Sequence, residues 1–405
     1  LSLPPPFLPV YHTYINIYIY IYTMAFSRPR SSSSSNRSNG SSRKGNNNNN
    51  KYNENLHINL RLRDRFEQLL KARNVDPATQ VNALRQLVLL EGIPEESITE
   101  QTTWTTKCTL RGKIWKVLLG VNKVDAAQYI NLIAKGPSKH SGKIDDDLHR
   151  TLASTVSFTS RVPQAKLCRL LNSYVNGRVH RSRSTGRNSS KSASPAAKDN
   201  ENTYYVQGMN LLAAPMLYVL PEADAYCAFR HLVVHHCPRY VTKMLVGAHD
   251  GAKLTDHVLK IFDNELYTFL KKQMLSSSLT LFPTILSLST NRKPFSEVLR
   301  LWDVLFAYGV HLNIIFAVAN LILIRTIILN NSPAENQKLL NKGQGMPPLR
   351  SDLIITLSMH LIRTIPEDLY TKLVLHPFHK LENQYALEEG ISALDLMPGN
   401  NNANK

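Results

Sequence analysis

Two short polar stretches carry the side chains best suited to chemistry. The first reads Ile144-Asp-Asp-Asp147-Leu-His-Arg150-Thr151 and the second Tyr205-Val-Gln207-Gly208-Met-Asn210. A guanidinium is planar, permanently charged and able to bridge two phosphate oxygens. A carboxamide donates and accepts at once, so it can orient a water molecule for attack. A cation at the phosphate and an aligned water are what phosphoryl transfer to water needs. Taken singly, each residue has a plainer reading. An arginine after a run of acids is usually a surface ion pair worth little, and a glutamine near a helix start can be a simple cap.

The neighbours of these two residues suggest how they are held. Asp147 lies three residues before Arg150, on the adjacent face of a helix, and is expected to hydrogen-bond it. Tyr205 and Asn210 are expected to buttress the glutamine loop, and Gly208 to let the backbone come close to a partner. Two further clusters flank these segments in the chain. Arg111-Gly-Lys-Ile-Trp115 is followed by Leu118-Leu-Gly120, and Arg300-Leu-Trp302-Asp303 is followed by Gly309. Trp115 and Trp302 are read as core aromatics.

The elements that must position these groups are helical. Leu62, Phe66, Leu69 and Leu70 recur at helical spacing. Asp76-Pro77 reads as an N-cap followed by proline at the first helical position, and Gly92 and Pro94 close that helix. Further helices are expected over 111–120, 125–133, 164–174, 207–220, 223–236, 255–272, 282–288, 296–307, 312–329, 350–364 and 366–375. A Pro/Gly/Asn-rich break is expected over 332–348. No paired strands and no internal repeat are visible. The class is all-α, in two helical subdomains.

Composition bounds the rest. The chain has 405 residues and a net charge of +18, enough length for one large helical domain or two smaller units. The charge is concentrated in a Ser/Asn/Arg-rich tail over 24–53 and a Ser/Arg/Lys-rich insertion over 176–202, both expected to be disordered. Basic runs without interleaved aromatics are solvated segments, so no nucleic-acid partner is expected. Residues 1–23 hold an alternating Ile/Tyr run before the first methionine, Met24. They read as a translated leader with the start at Met24. Residues 386–405 read as a flexible tail. Cys108, Cys168, Cys227 and Cys237 form no CxxC pair, which suits free thiols in a reducing compartment. His231, His235, His236 and Cys237 look like a metal cluster, but no second cluster completes a tetrahedral site, and no metal is expected. The apolar stretch 312–329 is interrupted by Asn313, Asn320 and Arg325, so a buried helix is expected and no transmembrane segment.

The order of the motifs carries more than any one of them. RxxxW at Arg111 and Trp115, IxxDxxR at Ile144, Asp147 and Arg150, YxQG at Tyr205, Gln207 and Gly208, and a later RxWD at Arg300, Trp302 and Asp303 resemble the TBC family of GTPase-activating proteins. The resemblance covers a GAP domain over 54–385. It implies an enzyme activator, not an enzyme in its own right. Arg150 would be the arginine finger, and Gln207 the glutamine finger standing in for the GTPase's own glutamine. Ile144, Asp147, Tyr205, Gly208 and Asn210 would support the fingers or bind the GTPase. The protein would need no cofactor of its own, since GTP and Mg are held by a Ras- or Rab-like partner. Stretches such as Cys237-Pro-Arg-Tyr-Val and Phe282-Pro-Thr-Ile-Leu resemble the fungal mitotic-exit and septation checkpoint branch. That branch implies a two-component GAP with a scaffold subunit, working in the cytoplasm at the spindle pole body. A Rab GAP in vesicle traffic and a non-catalytic GTPase-binding adaptor are the alternatives. One departure stands out: the family often continues Arg-Thr-Phe-Pro, where this chain has Arg150-Thr-Leu-Ala.

Overall fold

The computed structural model describes residues 46–72, 75–95, 108–184 and 205–380, and for 46–57 and 178–184 the backbone alone. Residues 1–23, most of the tail over 24–53, residues 185–202 of the insertion and the tail 386–405 lie outside the described residues. The chain divides into Leu1–Leu56 and His57–Lys405, and the packing below is that of the second unit. Among the described residues there is no strand, as the helical spacing predicts.

The first helix, α1, spans Asn46–Lys71, and α2 spans Pro77–Leu90. Helix α1 begins inside the segment expected to be tail. Once an apolar face containing the buried Leu62 and Phe66 has nucleated a helix, each further turn is cheap to add. Asp76 caps α2 as the sequence suggests, accepting the Thr79 backbone N–H at 3.0 Å.

A first group of helices follows: α3 (Leu110–Leu119), α4 (Ala126–Ile133), α5 (Ser141–Leu148), α6 (Val156–Thr159), α7 (Gln164–Ser184), α8 (Met209–Val219) and α9 (Glu222–His231). Helix α7 is its centre, with α4, α5, α8 and α9 packed around it. Leu167, Leu170, Leu171 and Tyr174 supply its buried face. The helix runs past residue 176, where the polar insertion was expected to begin. Two residues that read as loop formers explain this. Asn176 donates its amide to the Gly136 carbonyl at 3.0 Å. Gly177 packs so closely on α9 that a Cβ would lie 3.0 Å from the Tyr226 hydroxyl. Arg169 grips Glu222 through two bonds of 2.8 Å. Tyr129 donates to the same carboxylate at 2.9 Å, so α4, α7 and α9 share one ion pair.

A π turn (Leu232–His236) and a 3-10 turn (Pro238–Val241) lead into the second group. It comprises α10 (Val246–Phe262), α11 (Asn264–Lys272), α12 (Ser277–Thr280), α13 (Phe282–Leu286), α14 (Phe295–Tyr308), α15 (Leu312–Leu323), α16 (Arg325–Asn330), α17 (Pro333–Lys342), α18 (Ser351–Thr364) and α19 (Glu367–Leu375). Helix α15 is the core element, sandwiched by α10 and α18. Three expectations change here. The single helix expected over 255–272 is split at Asp263, which caps α11 by accepting the Leu266 N–H at 2.9 Å. The helix expected over 312–329 breaks at Ile324, where Arg325 turns outward to Asp263 at 2.8 Å and to Glu265. The break expected over 332–348 contains α17, which starts with a Ser332–Glu335 capping box and Pro333. Ser332 and Pro333, read there as part of a break, are helix-start signals. Helix α14 packs on α2 and α3 as well as on α18, joining the two groups, and one continuous apolar core runs through both.

Candidate functional site

The Arg111 and Arg300 motifs meet in the interior around one carboxylate. Asp303 is fully buried. Its Oδ1 accepts the Trp115 indole N–H at 2.7 Å and the Arg111 Nε–H at 3.1 Å. Arg111 also reaches the Ile93 carbonyl, and Arg300 the Leu89 carbonyl at 3.0 Å, so both arginines bind the end of α2. Burial pushes the Asp303 carboxyl up, and the Arg111 and Arg300 charges oppose that shift. Trp115, Trp302 and Phe306 stack about this hub, with Trp115 and Phe306 edge to face at 4.9 Å. Trp115 and Trp302 are both fully buried, so this cluster is scaffold.

The other two motifs meet at the surface. Asp147, at the end of α5, is 3% exposed, whereas the Arg150 side chain is 60% exposed. One carboxylate oxygen of Asp147 accepts from Arg150 Nη2, and the other accepts the Tyr205 hydroxyl at 2.6 Å. Asn210 donates its side-chain amide to Thr151 Oγ1 at 2.8 Å, and the Thr151 hydroxyl donates to the Asp147 carbonyl at 2.7 Å. These three contacts, together with the backbone from Tyr205 to Asn210, close a ring: Asp147, Tyr205, Asn210, Thr151 and back to Asp147. Burial and the Asp147 carboxylate push the Tyr205 phenol well above its ordinary range, so it stays a donor at neutral pH.

Each side of the ring carries one candidate finger. Arg150 leaves from Asp147, and Gln207 follows Tyr205 by two residues and is exposed. Gly208 sits at φ 102°, the left-handed region, directly before α8. A Cβ there would lie 2.8 Å from Leu286 Cδ2. The glycine is thus required by its own fold, by φ and by Leu286, where the sequence suggested a close approach to a partner. Leu286 ends α13, and the next residue but one, Leu288, accepts the Trp302 indole N–H at 2.8 Å. The seat of the glutamine loop therefore rests on the buried tryptophan cluster. On the arginine side, Lys293 donates to Ser154 Oγ at 2.7 Å, and Leu152 takes φ 48°.

The predicted supporting set divides on this geometry. Ile144, Asp147, Tyr205, Gly208 and Asn210 are all buried. Their burial places them beneath the two candidate fingers, with little side-chain surface left exposed. Thr151, Leu286 and Lys293 escaped the sequence reading. Thr151 directly follows the arginine in its motif, which was its signal. Leu286 and Lys293 are distant in sequence and carried none. The histidines near the end of α9 are packing groups: the rings of His231 and His235 lie 4.9 Å apart, and His236 Nε2 meets the Leu119 carbonyl at 3.1 Å. Among the described residues no group of three or more His, Cys, Asp or Glu is placed to hold a metal ion, and no helix is long and apolar enough to cross a membrane.

Comparison with known proteins bears on the family and the fold. Residues 108–329 match the Rab-GTPase-TBC domain. The chain is 38% identical over 328 residues to the putative mitotic check point protein BUB2 of Dictyostelium discoideum, covering 79% of this chain and 82% of that protein. It is 34% identical to cell division control protein 16 of Schizosaccharomyces pombe, covering 77% and 93%. It is 35% identical to the mitotic check point protein BUB2 of Saccharomyces cerevisiae, covering 74% and 92%. The crystal structure of the Ypt/Rab-GAP domain of Gyp1p shares the fold, with a TM-score of 0.55 at 16% identity over 75% of this chain and 98% of that one. Four ordered motifs, an all-helical fold that pairs them two by two and these matches place the chain in the Rab-GTPase-TBC family.

Proposed function

We propose that this protein is a GTPase-activating protein that inserts Arg150 and Gln207 into the active site of a Ras-superfamily GTPase. The observation that carries this reading is the set of three hydrogen bonds that ties both finger segments together and leaves Arg150 and Gln207 open to solvent. The partner supplies GTP and Mg. Arg150 supplies charge to the oxygens between the β- and γ-phosphates as negative charge builds there, held at its base by Asp147. Gln207 supplies the carboxamide that aligns the attacking water. The ring fixes the separation of the two before the partner arrives, so little conformational freedom is lost on docking. A supplied arginine typically accelerates hydrolysis by about 10³ to 10⁵.

The relatives named for mitotic check point and cell division control support a role in restraining mitotic exit or septation. In this reading the chain is one subunit of a two-component GAP, acting with a scaffold protein in the cytoplasm at the spindle pole body. The test is single-turnover GTP hydrolysis by a panel of Rab and mitotic-exit GTPases, with and without the scaffold. Arg150→Ala, Arg150→Lys and Gln207→Ala should each abolish most of the stimulation, the lysine failing because it lacks the planar fork. Equal rates for wild type and all three variants would overturn the catalytic reading. Activity on Rabs without the scaffold would move the protein to vesicle traffic.

A further inference from the structure

The segment that follows Arg150 takes a path that the usual family continuation forbids. Leu152 sits at φ 48°, in the left-handed region that side chains other than glycine rarely adopt. A residue before proline is confined to extended backbone, with φ near about −120°. Where the family often has Phe-Pro, this chain has Leu152-Ala153, and the absence of proline at 153 is what opens this φ. Leu152 starts a tight turn, closed by the Thr155 N–H donating to the Leu152 carbonyl at 2.8 Å. The tip of the turn is pinned, because Lys293 donates to Ser154 Oγ at 2.7 Å. A left-handed leucine is strained, and such strain persists only where the surroundings hold it, most often at binding and switch regions.

The turn leads straight into α6, which is anchored from within. Phe158 is buried, edge to face with Phe295 at 5.9 Å and stacked on Tyr218 at 6.4 Å. Val156 lies two positions earlier, about 200° around the helix from that anchor, and is 79% exposed. Ala153 and Ser154 are exposed as well. A chain advances at most about 3.6 Å per residue, so Ala153 lies within about 11 Å of Arg150, and Val156 within about 22 Å, from Cα to Cα. An interface of ordinary size takes about 20–30 residues from each side. A GTPase that receives Arg150 therefore comes to rest against this turn.

We infer that Ala153, Ser154 and Val156 form a selectivity surface, which meets the GTPase beside its bound nucleotide and decides which member of the superfamily accepts Arg150. The inference rests on the GAP reading proposed above. The partner it fits carries an apolar patch that covers Val156 and an acceptor for the Ser154 hydroxyl, whose oxygen is already engaged by Lys293. The family's proline would take Leu152 out of the left-handed region and carry the tip of the turn away from Lys293. The same finger would then be flanked by a different surface. Arg150 itself stays where Asp147 mounts it, so catalysis and the choice of partner reside in separate residues.

The test measures the Kd of the full chain for a panel of Rab and mitotic-exit GTPases, each loaded with a non-hydrolysable GTP analogue, by calorimetry with and without the scaffold. Ala153→Pro and Val156→Asp should each narrow the spread in Kd between the tightest and the weakest GTPase by about tenfold. Ala153→Ser leaves the φ of Leu152 open and should keep the wild-type order and spread. An unchanged spread in either folded variant overturns the proposal, as does a wild type that binds every GTPase alike or binds none. Should Ala153→Pro fail to fold, Val156→Asp decides, since its side chain is exposed. A Kd contains no hydrolysis step. Failure of the fingers therefore appears in turnover with selectivity intact, and failure of the selectivity surface appears in Kd with the fingers still active.

Discussion

The protein uses a buried aspartate twice, to opposite ends. Around Asp303 every arm points inward: Arg111, Trp115 and Arg300 tie α3 and α14 to the end of α2, and two tryptophans seal the cluster. Around Asp147 one arm points outward. Tyr205 satisfies one oxygen from within, while Arg150 takes the other and then leaves the protein. The chemistry of the two centres is the same, a carboxylate shared between a guanidinium and an aromatic donor. The difference is where the guanidinium ends. At Asp303 its role is mechanical, since both ends of Arg111 are engaged. At Asp147 the distal face stays free and the carboxylate serves as a mount. A buried ion pair is weak evidence for stability on its own. Only its geometry tells which of the two roles it plays.

Removing each cation or its mount should separate the roles. The largest effect is expected for Arg150→Ala: a drop of about 10³ or more in stimulated hydrolysis, with a smaller loss of stability than at Asp303, because Arg150 is mostly solvated and Asp147 keeps the Tyr205 hydroxyl. Circular-dichroism melts beside single-turnover kinetics check both halves of this prediction. Asp303→Ala should do the reverse. It strands Arg111 and the Trp115 N–H in the interior and should cost about 3–5 kcal/mol of stability by urea titration, while the protein that remains folded keeps its activity. If Asp303→Ala instead lost activity at full stability, the division into scaffold and mount would be wrong.

A smaller effect is expected at the ring itself. Thr151→Val keeps the shape of the side chain but removes the hydroxyl that joins Asn210 to the Asp147 carbonyl. A lowered kcat by about tenfold, with KM little changed, corresponds to the loss of about one positioning hydrogen bond. Thr151→Ser should restore it, and a Ser variant as slow as Val would assign Thr151 to packing alone.

A further effect is one of pH and belongs to neither centre. His376 is buried with Nε2 against the Tyr240 hydroxyl at 2.8 Å, and burial pulls its pKa down to about 3. His311 is pulled down to about 4 for the same reason. Both are held neutral in the fold and protonate near pH 6.5 when unfolded. Their contribution is therefore complete above pH 6.5 and declines as pH falls below it, by up to about 1.4 kcal/mol per pH unit for each histidine. Urea midpoints should fall between pH 7 and pH 5. A His376→Gln variant should flatten that slope, and an unchanged slope would show that the histidine is solvated.

Much of this was legible in the chain. The pairing of Asp147 with Arg150 and the core placement of both tryptophans follow from spacing and residue type. So do Asp76 as a cap and the all-helical class. The misreadings are of two kinds, remote partners at Asn176 and Gly177 and an overlooked local capping box at Ser332 and Pro333. Asn176, Gly177, Ser332 and Pro333 were taken as punctuation, and each is instead helical or starts a helix. Asn176 finds a carbonyl on the loop after α4, Gly177 faces a hydroxyl on α9, and Ser332 and Pro333 cap α17. Local propensity weighs a residue against water, and it cannot weigh a partner forty residues away.

The sequence by itself determined which groups can do chemistry, because a guanidinium and a carboxamide have their properties wherever they stand. It also determined helix periodicity and caps, which are set by neighbours within a few positions. Only the tertiary structure decided that the Arg150 and Gln207 segments share one ring and that Leu286 makes Gly208 obligatory. Those facts depend on distances between residues remote in the chain, and such distances exist only once the core has been packed.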